Sequence, residues 1–259
     1  MDARIAAQLA ALPLKEMDSA LLTVTLLAET SAAIPGSVNV IRDAAATAAW
    51  VHRKHTRANR AGLPRTPYIE HPLRLAVRLL RWGVRDTDVI VAALFHDTVE
   101  DNPYDLARLA DAPEGLTEAD ARTYALRYLE EQYGPIVART VAAVTNPLPS
   151  GNRRDRATRN GEYFTHVAHA IADPRAYLVK VDDVFDNALS LHHTAEGLGP
   201  VGTARRAQKY LPLLDLLAAR IGDDDIDGLL PLAGQVQISA GLAAGRVRLV
   251  ELAGGAPTA

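Results

Sequence analysis

The chain has 259 residues, 48% of them hydrophobic, enough for one or two domains with a sizeable core. With no cysteine it has neither a disulfide framework nor a zinc finger, and 28 basic against 31 acidic residues leave a net −3, which argues against a general nucleic-acid coat. Aromatics are only 5% while alanine and leucine abound, which favours helices over a sandwich or barrel. No apolar run reaches the roughly 18–20 residues that span a bilayer. The opening residues, with Asp2 and Arg4, lack the basic and then apolar stretches of a secretory signal. A cytoplasmic protein with no membrane partner is expected.

Residues 1–35 read as one or two helices, broken at Pro13 and ended by Ile34-Pro35-Gly36. A longer helix is expected from about Val38 to about Thr56, then a loop with Gly62, Pro64 and Pro67. Pro72 opens the next helix, in which Leu73, Ala76, Val77 and Leu80 form an apolar stripe and Arg74, Arg78 and Arg81 a polar one that reads as solvated surface. Trp82-Gly83 ends it. Asp86 or Thr87 can cap a helix whose segment Val89–Phe95 is apolar all round and therefore buried. Asn102-Pro103 starts another, and Thr117-Glu118-Ala119-Asp120 resembles a capping box ahead of a helix to about Gln132. Ile136, Val137, Thr140, Val141 and Val144 give one more amphipathic helix. After a loop at 146–157, helices are expected over about 158–172, 174–193 and 203–221; Val247–Leu252 fits strand or helix. The chain reads as all-α: a main domain over 38–221, with extensions at 1–37 and 222–259.

Several polar groups stand where this pattern gives them no obvious outlet to water. His96-Asp97 sits at the end of the buried helix, and a charged pair there needs partners. Neutral imidazole with carboxylate suits a divalent ion such as Mn²⁺ or Fe²⁺; a helix-end charge beside a core histidine is the plainer alternative. His71-Pro72 lies 25 residues upstream, so an antiparallel helix pair can bring both imidazoles to one end. Glu100 and Asp101 follow His96 by four and five residues, at a helix C-terminus where acids are electrostatically disfavoured. There they could orient or deprotonate a bound water. Lys180, Asp183, Asn187 and Ser190 are spaced 3, 4 and 3 on one face of a largely apolar helix, facing either water or a cleft. Asp182 and Asp186 fall on a neighbouring face and read as plain solvated acids. Between Ala44 and Ile69 no acid occurs, while Arg53, Lys54, Arg57, Arg60 and Arg65 gather beside His52 and His55. This patch and a second one at Arg153, Arg154, Arg156 and Arg159 suit anions. Neither has interleaved aromatics or a nucleic-acid-binding motif. No Gly-rich phosphate loop and no G-x-S-x-G elbow is present.

In this order the segments AAWVHRKHTR (48–57), PYIEHP (67–72), AALFHDTVED (92–101), the Val144-Thr145 turn and LVKVDDVFDN (178–187) resemble the HD-type metal phosphohydrolases, and within them the hydrolase domain of RelA/SpoT-type alarmone enzymes. The resemblance spans about residues 40–215. It implies an all-α HD domain and metal ligands at His71, His96, Asp97 and Asp183, with Mn²⁺ the usual ion. It implies Glu100 and Asp101 as the pair that activates the attacking water. It further implies substrate contacts at Arg57, Lys180 and Asn187, at Arg206 and Tyr210 four apart on a later helix, and at Ser190, where a threonine is common. The implied reaction is hydrolysis of the 3′-diphosphate of ppGpp or pppGpp to GDP or GTP and pyrophosphate. RelA/SpoT-type long proteins carry a synthetase after the hydrolase; this chain is expected to be hydrolase-only.

The chain departs from the pattern at several places. The loop between Arg57 and Tyr68 is long, Ala58 stands where lysine is typical, and Thr145-Asn146 lacks the usual lysine. Val184, Phe185 and Asp186 replace the common Arg/Lys, Leu and His/Tyr. These changes keep open an HD-type phosphatase for another phosphorylated nucleotide, such as NADPH or a 2′- or 3′-phosphorylated adenine nucleotide, and a non-catalytic nucleotide sensor. The expected partner is a small phosphorylated nucleotide; a homo-oligomer is left open.

Overall fold

The computed structural model describes residues 2–58, 65–148, 155–193 and 195–254. Helices α1 (Ala3–Ala11) and α2 (Ser19–Ala33) flank a short 3₁₀ turn at Leu14–Glu16, and Asp18 caps α2 by accepting from the Leu21 amide at 2.9 Å. Helix α3 (Val38–Val51) ends five residues earlier than the sequence suggests. The chain leaves it at His52 to form a two-residue antiparallel pair, β1 (Thr56–Arg57) with β2 (Thr66–Pro67), in which Arg57 faces Thr66. β-Branched Thr56 and Thr66 suit this extended pairing. Gly62, Pro64 and Arg60 lie outside the described residues.

Helix α4 (Glu70–Trp82) and helix α5 (Thr87–Phe95) then form the antiparallel pair at the centre. Gly83, at φ 95°, supplies the left-handed turn that ends α4, and Asp86 caps α5 by accepting from the Asp88 and Val89 amides. Helices α3, α4, α9 (Pro135–Val144) and α11 (Pro174–Val184) all pack on α5. This enclosure explains a helix that is apolar on every side, with Val89 through Phe95 all buried. Between these elements run α6 (Thr98–Asp101), α7 (Pro103–Leu109) and α8 (Glu118–Tyr133), the last capped by Thr117 as its capping-box sequence predicts. Helix α10 (Arg156–Ala170) precedes α11. Arg156 and Arg159 are exposed, while Arg153 and Arg154 lie outside the described residues.

The helix expected over 174–193 is not continuous. After Val184 the chain makes a π turn at Phe185–Leu189, then a 3₁₀ turn at Leu191–His193. Helix α12 (Ala195–Arg220) is kinked at Gly199, where φ is 64°, and short α13 (Asp224–Asp227) leads to α14 (Leu232–Gly254). The ambiguous segment 247–252 is therefore helical. Ile238, Leu242 and Leu249 of α14 are buried in the same hydrophobic cluster as Met17, Leu22 and Leu26 of the N-terminal segment and the central helices. The protein is all-α, as its composition and the resemblance imply.

Candidate metal centre and active site

The antiparallel packing of α4 on α5 carries His71, at the start of one helix, to His96, just past the end of the other. Their Nε2 atoms are 3.1 Å apart. Asp97 Oδ2 lies 2.9 Å from His96 Nε2 and 3.6 Å from His71 Nε2, and Asp183 Oδ1, from α11, lies 3.8 and 3.2 Å from the same two atoms. Both imidazoles are buried.

The opposite ring nitrogens have acceptors of their own. His71 Nδ1 donates to Asp186 Oδ2 at 2.7 Å and His96 Nδ1 to the Ala93 carbonyl at 2.8 Å, which turns each Nε2 toward the shared centre. His71, His96 and Asp97 thus form a compact group of donors, with Asp183 Oδ1 beside both imidazoles, and this set fits a divalent metal ion. The field there is strong. Burial alone would raise Asp97, but His96, His71 and the Tyr68 hydroxyl together hold its carboxyl well below the usual range. Burial alone would lower His96, and Asp97 instead lifts it to about 9.

Glu100 and Asp101 stand one turn further on, in α6. Asn146 fixes Glu100, donating its backbone amide at 3.1 Å and its side-chain amide at 3.1 and 2.8 Å. Asp101 is pushed up to about 6, first by burial, then by Asp97 and Glu100. The Tyr68 hydroxyl donates to Asp97 and also faces Asp101.

Arg57 reaches the centre from the β-pair. Its guanidinium lies 5.3 Å from the Tyr68 ring and donates to Asn187 Oδ1 at 2.5 Å, while Asn187 Nδ2 donates to Asp183 Oδ1 at 2.5 Å. Lys180 is buried, and its charge is felt by His166 and Lys209. Tyr210 is half-buried, and its phenol is pushed up by burial and by the nearby Asp183. Arg206 is exposed beside it. Ser190 is not brought to the centre: its hydroxyl turns back to donate to the Asp186 carbonyl.

Two expectations are corrected. Asp182 and Asp186 are not solvated acids: both are buried. The Arg74/Arg78/Arg81 stripe is not solvated surface either, because α4 is covered by α2, α11 and α14. Arg74 is buried against Asp186, Arg78 donates to Asp182, and Arg81 bonds Glu29 at 2.9 Å. A stripe of arginines facing a stripe of aspartates has the same periodicity as one facing water.

The sequence reading also missed Tyr68, although it lies in the same short segment as His71, and Asn146, which follows the Val144-Thr145 turn. It missed a cation–π stack as well. Lys209 Nζ lies 3.8 Å from the Tyr163 ring centroid and 5.3 Å from that of Tyr210. No periodic signal marks Lys209 or Tyr163.

The profile of the HD domain family matches residues 68–188. Guanosine-3′,5′-bis(diphosphate) 3′-pyrophosphohydrolase MESH1 of Danio rerio is 32% identical over 178 residues, covering 67% of this chain and 79% of that one. A probable GTP pyrophosphokinase of Mycobacterium leprae is 33% identical over 161 residues, 60% of this chain; the chain spans only 16% of that longer relative. Among solved structures, a metazoan SpoT orthologue that hydrolyses ppGpp superposes at a TM-score of 0.52 and 22% identity, over 80% of this chain and 94% of that one, and so shares the fold. Similarity to MESH1 along most of that protein's length, with the HD match running across α4, α5 and α11, places the chain in one family: it belongs to the HD-domain hydrolases related to MESH1.

Proposed function

We propose that the chain is a Mn²⁺-dependent (p)ppGpp 3′-pyrophosphohydrolase. The observation that carries the reading is the convergence of His71, His96, Asp97 and Asp183 on one point, with Glu100 and Asp101 a turn away, in a chain of MESH1's family. His71, His96, Asp97 and Asp183 would hold the ion. When bound there, a divalent ion makes a water molecule more acidic and offsets charge on the phosphoryl group.

The chain's own residues supply the rest. Asp101, with a pKa of about 6, is unprotonated at neutral pH and is basic enough to take a proton from the attacking water. Glu100, immobilised by Asn146, aligns that water. The water oxygen joins the phosphorus next to the 3′-oxygen, the P–O3′ bond breaks, and the proton returns to the leaving 3′-oxygen. Arg57 faces the centre and offsets phosphate charge; Asn187 holds Arg57 and Asp183 in register. Lys180, Arg206 and Tyr210 line the approach for the remaining phosphates and the nucleoside. Ser190 belongs to this set only if its hydroxyl leaves the Asp186 carbonyl. The described residues contain no helix long and apolar enough to cross a membrane.

One observation favours a second reading. The turn that usually carries a lysine presents Asn146 instead, and Asn146 is committed to Glu100. A site with one phosphate cation fewer suits a less charged nucleotide, such as NADPH. The test is phosphate release by purified protein from ppGpp, NADPH and a nucleoside 3′-monophosphate, each with and without Mn²⁺. Metal-dependent pyrophosphate from ppGpp is expected. Orthophosphate from the other two, with ppGpp untouched, would move the activity to a nucleotide monoesterase.

A further inference from the structure

Behind the metal donors lies a second charged layer. Asp186 accepts from His71 Nδ1 at 2.7 Å, from Arg74 Nε and Nη2 at 2.7 and 2.8 Å, from Arg78 Nη2 at 3.1 Å and from Lys15 Nζ at 3.2 Å. The Asp186, Arg74 and His71 side chains have no accessible surface, and those of Lys15 and Arg78 have 10% and 15%. Three elements meet here: α4, the π turn and, through Lys15, the 3₁₀ turn of the N-terminal segment packed beside them.

Burying a carboxylate is costly unless it is fully paired. What the carboxylate adds is an anionic acceptor aimed at the far side of a metal-ligand imidazole. Such a partner fixes the ring's tautomer and orientation and makes Nε2 a stronger donor. Three cations around Asp186 keep its carboxylate charged and stationary without removing the oxygen that His71 uses.

We propose that Asp186 is the positioning residue of the metal centre, holding His71 in the Nδ1–H tautomer, and that Arg74, Arg78 and Lys15 form the cradle that keeps it there. The inference rests on the reading of His71 as a metal ligand. It gives the N-terminal segment a place in the site: Lys15 closes the layer behind His71.

The experiment compares full-length wild type, Asp186→Asn and the charge-rebalanced Lys15→Met/Asp186→Asn, measuring Mn²⁺ affinity by titration calorimetry and thermal unfolding without metal. Asp186→Asn is expected to bind Mn²⁺ about 10–100-fold more weakly. The double variant should regain thermal stability while Mn²⁺ binding stays weak. Wild-type affinity in Asp186→Asn, or recovery of both properties together in the double variant, would overturn the proposal. Should neither variant fold, the long-range ¹H–¹⁵N spectrum of the metal-free wild type decides. The proton of His71 is expected on Nδ1, and its presence on Nε2 alone would overturn the proposal. Failure of the wild type to bind Mn²⁺ would instead remove the metal assignment on which the inference stands.

Discussion

Asp97 and Asp101 are one helical turn apart, and both lose water, yet their carboxyl groups are driven in opposite directions. Around Asp97 the two imidazoles and the Tyr68 hydroxyl outweigh burial; at Asp101 burial is reinforced by Asp97 and Glu100. Divergence of this kind separates a ligand, which must stay ionised, from a base, which must hold a proton for part of the cycle. Because Asp101 must be unprotonated to accept that proton, kcat/KM should fall about tenfold per pH unit below an apparent pKa near 6. Asp101→Asn should lower turnover by about 10²–10⁴ and abolish that limb; a limb that persists would assign it to another group. Asp183→Ala removes an oxygen facing both imidazoles and the anchor of Asn187, so metal content and activity should be lost together. Metal analysis of the purified variant checks this, and normal content would exclude Asp183 as a ligand. His96 and Asp97 were legible as candidate ligands at the end of a buried helix, where unpaired charge has no cheap resting place, whereas Asp183 was singled out as a ligand only by the resemblance. Asp186 was not legible, because its role depends on the π turn that follows α11.

At the scale of elements, that π turn accounts for most of what sequence periodicity missed. A spacing of 3, 4 and 3 places Lys180, Asp183, Asn187 and Ser190 on one face only while the helix stays regular. The wider turn at Phe185–Leu189 changes the register, sending Asp186 under His71 and folding the Ser190 hydroxyl onto the backbone. Helix α14 braces this irregular stretch by approaching it closely. A Cβ at Gly241 would lie 2.5 Å from the Phe185 ring, and one at Gly234 would lie 2.1 Å from the Trp82 carbonyl oxygen. In the sequence these glycines look like helix-weakening residues. On propensity alone Gly234→Ala should stabilise the helix by about 1 kcal/mol. Here the obstacle is backbone that cannot rotate aside, so a net loss of about 1–3 kcal/mol is expected from urea unfolding. A stabilised variant would mean that α14 does not seat against α4 this closely.

For the molecule as a whole, composition was enough to indicate an all-α protein, but not how its two ends are used. Lys15 has the signature of any surface lysine, and only the packed structure brings it to Asp186, 171 positions away. The N-terminal segment is itself uneven. Helix α1 has no buried residue, and its Leu9 carbonyl accepts one hydrogen bond from Arg81. A few residues later Met17 is completely buried, and Lys15 enters the charged layer behind His71. Deleting residues 2–11 should therefore cost about 1 kcal/mol or less, the net worth of one partly exposed hydrogen bond. Deleting residues 2–18 strips Met17 from the core and a cation from Asp186, and should cost about 3–5 kcal/mol. Chemical unfolding of the two truncations separates the contributions. A large loss already present in the shorter deletion would mean that α1 holds the segment in place. A small loss in both would mean that the carboxylate is adequately held by Arg74 and Arg78, leaving Lys15 with no part in keeping His71 aimed.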